Sequence, residues 1–151
     1  MDETVVVLFQ RKRVKQAVET NTESSDAWTW VSFRIFSPEL DPLEISRILE
    51  TVPDRTCLRG TFPQNDPKYA PYKNSVWTLD SKLPAEEAFI QHLENLFSIL
   101  KPKQKQILEL SRTHTVDFMG TLFSQNGIYV PSHVIAQIAD LGAELNVTVY
   151  P

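Results

Sequence analysis

The sequence predicts an α+β domain: a mixed, largely antiparallel sheet with helices packed on one face, in a ferredoxin-like style. Three observations predict it. Runs at Trp28–Phe36, Thr113–Phe123 and Leu145–Val149 alternate apolar and polar residues with a period of two, the mark of a half-buried strand. Between them lie segments whose apolar residues recur at helical spacing. The resulting order, strand-helix-strand-strand-helix-strand-strand-helix-strand, suits a two-layer packing of helices on a sheet. At 151 residues the chain is sized for one domain. A domain of that size buries roughly 70% of its unfolded surface and needs no disulfide or metal staple.

Taken in order, Thr4 to Phe9 reads as a short strand, and Glu19 to Asp26 as a polar linker without a large apolar residue. Residues 1–26 are therefore an appendage, and 27–151 form the single domain. In the first strand Val31, Phe33 and Ile35 share one face; Trp30, Ser32 and Arg34 share the other. A helix then starts at Asp41-Pro42. Asp41 is placed to cap, Pro42 fits the first turn and Glu44 can complete a capping box. Leu40 and Ile45 are spaced as a hydrophobic staple, and Ile45, Ile48 and Leu49 are expected to face the core.

Arg55–Thr61 and Ser75–Leu79 read as strands flanking a three-proline loop, Phe62 to Asn74. A long helix is expected from Pro84 to Leu100, with Glu86 and Glu87 in its first turn and a stripe of Phe89, Leu93, Leu96, Phe97 and Leu100. Pro102 interrupts it or opens a short helix through Leu110. In Thr113–Phe123, Val116, Phe118 and Leu122 share a face. Asn126-Gly127 signals a turn into a short partner strand, Ile128-Tyr129-Val130. Pro131 opens the last helix, Gly142 closes it, and Leu145, Val147 and Val149 alternate in a final strand.

Composition narrows function by exclusion. Fifteen Lys and Arg against 19 Asp and Glu give a charge of −4, whereas nucleic-acid binders usually carry a basic surplus. A lone Cys57 permits no intrachain disulfide and no multi-cysteine metal site; in its β-like run it reads as a small buried hydrophobe. The N-terminal apolar run is short, preceded by acid and followed by Arg11 to Lys15, the reverse of a secretory signal. With no stretch near the roughly 20 apolar residues of a membrane span, the expected setting is cytoplasmic, without membrane association.

A resemblance enters through Trp30-Val31-Ser32-Phe33-Arg34-Ile35, Leu40-Asp41-Pro42, Gly60, Val76-Trp77-Thr78-Leu79-Asp80-Ser81, His92-Leu93 and Ile138-Ala139-Asp140-Leu141-Gly142. Over Trp28 to Tyr150 this pattern resembles a bacterial family known as domain of unknown function four-two-seven-nine. The resemblance implies fold boundaries and a bacterial cytoplasmic setting. It brings no activity and no catalytic residue.

No catalytic set assembles from the residues themselves. His92, His114 and His133 lack local zinc-ligand spacing, and His92 reads as a packing or hydrogen-bonding residue on its helix. Ser111, His114 and Asp117 are close in sequence, but on a strand His114 and Asp117 point to opposite faces, which a triad cannot use. The few glycines form no phosphate cradle. The expectation is a non-enzymatic module without cofactor or metal.

Two binding surfaces remain. The Phe62–Asn74 loop offers Phe62, Tyr69 and Tyr72 as aromatic anchors, with Lys68 and Lys73 for charge, residue types suited to a protein interface. This points to a protein partner, in its most concrete version a basic toxin neutralised by an acidic immunity protein. The alternative is nucleic-acid or nucleotide binding through Arg11–Lys15, Lys101–Lys105 and a stacking surface of Trp30, Arg34 and Trp77. A deep pocket joining His92 or Cys57 to a carboxylate would instead favour an enzyme.

Overall fold

The alternating run that starts at Trp28 becomes the central strand of the sheet. The computed structural model describes residues 28–151; the expected first strand, the Arg11–Lys15 run and the polar linker lie outside the described residues. The elements are β1 (Thr29–Ser37), α1 (Pro42–Leu49), β2 (Arg55–Cys57), β3 (Ser75–Asp80), α2 (Phe89–Leu100), α3 (Gln104–Ser111), β4 (Thr115–Phe123), α4 (Ser132–Asp140) and β5 (Glu144–Tyr150). The strand order is β2-β3-β1-β4-β5. All neighbours are antiparallel except β4 and β5, which run parallel and are joined through α4, as a parallel pair requires. The first four strands follow the ferredoxin-like interleaving; α4 and β5 extend it by one crossover.

One sheet face is covered. Val31, Phe33, Ile35, Trp77, Leu79, Val116, Phe118 and Leu145 point into it and are buried. They meet Ile45 and Leu49 of α1, Leu93, Leu96 and Leu100 of α2, Ile107 of α3, and Val134 and Ile138 of α4 in one cluster. Each such side chain contributes about 1.5–3 kcal/mol relative to exposure, so this cluster dominates stability. Gly120 on β4 lies under the Phe89 ring so closely that a Cβ there would overlap it.

Local signals explain most boundaries. Asp41 is extended, and its Oδ1 accepts from the Leu43 amide at 2.8 Å. Pro42 then starts α1, and Leu40 packs against the core cluster that includes Ile45. Ile48 departs from expectation: it is exposed, because this short helix is held on the core through Ile45 and Leu49. Pro102 sits in a 3-10 turn (Lys101–Lys103) between α2 and α3.

Three expected elements differ. The long helix starts at Phe89, because Ala88 is extended and the Ala85 carbonyl accepts from Thr29 N of β1. Glu86 and Glu87 therefore precede the helix. The Arg55–Thr61 strand is only Arg55–Cys57. Ile128–Val130 forms no strand; the Ser124 hydroxyl closes the turn onto the Gly127 carbonyl, and the chain runs directly toward α4 with Val130 buried in the core.

Candidate interaction surface

Alternation assigns the second set of strand side chains to the sheet face without helices. Cross-strand register brings Arg34 of β1 between Thr78 and Asp117, and Ser32 between Asp80 and Met119. Both arginines on this face are paired with a carboxylate. Arg34 donates from Nε and Nη2 to the two carboxylate oxygens of Asp117 at 2.9 and 2.6 Å. Asn146 Nδ2 of β5 donates to the same carboxylate at 2.8 Å. Beside them, Trp30 Nε1 donates to Ser32 Oγ, Ser32 donates to Asp80 at 2.6 Å, and Arg55 Nη2 meets the same Asp80 oxygen at 2.8 Å. Asp117 is 2% exposed. A carboxylate that deep is tolerable because three donors meet it, two of them from the Arg34 guanidinium.

At the Trp28 end of the strands the same face carries a strip of aromatic rings. Trp30 stacks on Trp28 at 6.3 Å, Trp28 meets the edge of Phe123 at 5.8 Å, and Phe123 stacks on Tyr150 at 5.1 Å. The four are 43%, 43%, 44% and 46% exposed, in the order Trp28, Trp30, Phe123, Tyr150. The Arg55 guanidinium lies 5.5 Å from the Trp30 ring. Sequence reasoning placed only Trp30 here. Phe123 shares the parity of Asp117 and Met119 rather than Phe118, a signal that the period of two already carried.

The Phe62–Asn74 loop is an ordered extension of the β2–β3 hairpin. Gly60 N donates to Tyr72 O, and Tyr72 N to Thr61 O, both at 2.9 Å. Gly60 itself is left-handed at φ 84°, a conformation open to glycine at little cost. The tip is tied by Asp66, which accepts from the Lys68 amide and pairs with its ammonium. Phe62 and Tyr69 are exposed, Lys68 lies 5.0 Å over the Tyr69 ring, and Lys73 is exposed. Tyr72 is half-buried; its phenol is pushed above the ordinary range by hydrogen bonding to Cys57 and the charge of that thiol. Because Ser37 pairs with Ser75 at the hairpin end of β1, this cluster and the aromatic strip occupy opposite ends of the strands.

The nucleic-acid set does not converge. Trp77 lies on the covered face, fully buried, its Nε1 donating to Ser46 Oγ at 3.0 Å; its parity is that of Leu79, not of Thr78. It cannot share a stacking surface with Trp30 and Arg34. Lys101–Lys105 belongs to the helix layer, where Lys103 pairs with Glu50 at 2.9 Å, the Lys103 ammonium drawing the Glu50 carboxyl below its ordinary value. The rejected triad is likewise dispersed. Ser111 Oγ donates to Leu108 O, the His114 ring lies against Thr113 and Leu110 O, and Asp117 is on the open face. Among the described residues no group of His, Cys, Asp and Glu could hold a metal ion, and no helix is long and apolar enough to cross a membrane.

A separate cluster forms where β3 ends. Ser81 Oγ lies 2.5 Å from His92 Nδ1, and both residues are buried. Burial lowers the His92 pKa, outweighing the Glu87 and Pro84 carbonyls and the Glu87 charge that favour the cation. His92 Nε2 is buried without a hydrogen-bond partner. Both side chains line a cavity of about 180 Å³, together with Asp54 and Asp80. The juxtaposition of histidine, hydroxyl and carboxylates is invisible in sequence because it depends on how α2 crosses the end of β3.

Comparison with known proteins returns one family: Domain of unknown function (DUF4279), matched over residues 26–151. No curated protein and no solved structure matches the chain.

Proposed function

The chain belongs to the DUF4279 family, whose description carries no activity, and we propose that it is a protein-binding module that docks a polypeptide on the open sheet face. The observation that carries this reading is the strip Trp30, Trp28, Phe123 and Tyr150, four half-exposed rings each in contact with the next, with the Arg55 guanidinium over Trp30. Tryptophan, tyrosine and arginine are the residues most enriched among interface hot spots. The rings are held by neighbouring strands, so little side-chain freedom is lost on binding.

Charge selects the partner class. Arg34 and Arg55 each meet a carboxylate, and the chain carries −4 overall. A polyphosphate would have to displace those carboxylates, whereas a basic polypeptide gains from the acidic field. The immunity-protein version fits that chemistry: an acidic module captures a basic toxin. The hairpin residues Phe62, Lys68, Tyr69, Tyr72 and Lys73 supply a second contact for a partner large enough to reach along the strands. Nucleic-acid binding ranks below this reading, since Trp77 is buried and the described basic run lies in the helix layer.

The test is affinity capture of the tagged full chain, with and without nuclease, alongside the double variant Trp30→Ser/Tyr150→Ser. The reading predicts a stoichiometric, nuclease-resistant protein that the double variant fails to retain. Recovery of nucleic acid alone, or equal retention by both proteins, overturns it.

A further inference from the structure

The cavity at the end of β3 has chemistry that the docking face does not use. We propose that Ser81 is a nucleophile with His92 as its general base, and that the cavity accepts a small carboxylic ester.

The geometry supplies the pair that such chemistry requires. Ser81 Oγ stands 2.5 Å from His92 Nδ1, within the reach of direct proton transfer. Burial keeps the ring neutral into a more acidic range than a free histidine, so it is available as a base at neutral pH. With Nδ1 accepting from the serine hydroxyl, the ring proton belongs on Nε2. That nitrogen is buried without a hydrogen-bond partner among the described residues.

The serine is also held in place. Its amide donates to Val31 O at 3.0 Å, and its carbonyl accepts from Asn95 Nδ2 at 2.6 Å. The next residue, Lys82, is left-handed at φ 62° without being glycine. Such strain costs about 1–3 kcal/mol and clusters at functional sites. Lys82 also lines the cavity, its ammonium engaged with Asp54 Oδ1 at 3.4 Å. The space of about 180 Å³ limits the acyl group to a short chain.

In the first step Ser81 Oγ bonds to the ester carbonyl carbon and its proton passes to His92 Nδ1. Collapse breaks the bond to the leaving oxygen, which takes that proton and departs as the alcohol. Water, deprotonated by His92, then attacks the acyl-serine and releases the carboxylic acid, returning the proton to Ser81. No other reactant is needed.

The test incubates the full chain with p-nitrophenyl acetate, following nitrophenolate release and locating the acetyl group by peptide mass spectrometry. Acetylation of Ser81 is expected. Ser81→Ala removes it, and His92→Gln slows it by about 10²-fold or more, the usual share of a general base, with circular dichroism unchanged. Acetyl confined to lysines or tyrosines overturns the proposal, as does a His92→Gln protein that reacts as fast as the natural one. If His92→Gln fails to fold, the pH profile of the unmodified protein decides. Glu87, Asp54, Asp80 and Lys82 are the ionisable groups around the pair. The rate at Ser81 must fall on the acid side as His92 is protonated; a rate without that fall contradicts the assignment.

Discussion

His92, Asp117 and Gly120 each owe their environment to a contact from another element, and each makes a measurable prediction. The His92 pKa is depressed in the folded protein by burial, while the unfolded ring titrates near about 6.5. The folded state therefore binds its proton less readily than the unfolded one. This contribution to stability is complete above about pH 6.5 and is lost as pH falls through the folded value. Urea midpoints measured across that window should decline on the acid side, and His92→Gln should flatten this part of the slope. A natural protein equally stable on both sides contradicts the burial argument.

Asp117 binds Arg34 and Asn146 from the two neighbouring strands. Removing one member of a fully buried pair costs about 3–5 kcal/mol. The Arg34 side chain keeps 28% exposure, so Asp117→Ala should cost about 2–3 kcal/mol by chemical denaturation. Arg34→Lys should recover only part of the pairing, because an ammonium cannot make the two parallel bonds. At Gly120 the Phe89 ring occupies the space of a side chain. Gly120→Ala should destabilise by about 1–3 kcal/mol through overpacking, and the double variant Gly120→Ala/Phe89→Leu should recover part of the loss.

At the scale of elements, legibility followed the kind of interaction that sets each one. β1, β4 and β5 are fixed by which alternate residues can leave water, so Val31, Phe33 and Ile35 announced the covered face. α1 was legible because capping is local: Asp41 and Pro42 decide its start within one turn. The start of α2 was not, since Ala88 is held out of the helix while the Ala85 carbonyl serves a strand far along the chain. Ile128–Val130 reads as a strand by composition, yet β5 takes the place beside β4.

The candidate surfaces divide in the same way. Hairpin aromatics were visible as a cluster in one loop, whereas Trp28, Phe123 and Tyr150 meet only after three strands align. Trp77 was misplaced on the open face, though its parity with Leu79 assigns it to the core. Ser81 and His92 meet through helix placement, and no periodicity in the chain encodes it.

Across the whole molecule, the fold divides three tasks, with Trp30 and Asp80 shared between the open face and the cavity. Helices and one sheet face form the core, the other face carries the aromatic strip, and the end of β3 encloses the Ser81–His92 cavity. The central claim, that the strip is the docking surface, is read most directly by side-chain footprinting with hydroxyl radicals, comparing the full chain free and bound to its captured partner. Protection of Trp28, Trp30, Phe123 and Tyr150, with less change at Phe62 and Tyr69, is the predicted result. Strip rings that stay as reactive as in the free chain, while the hairpin aromatics are protected, would contradict it.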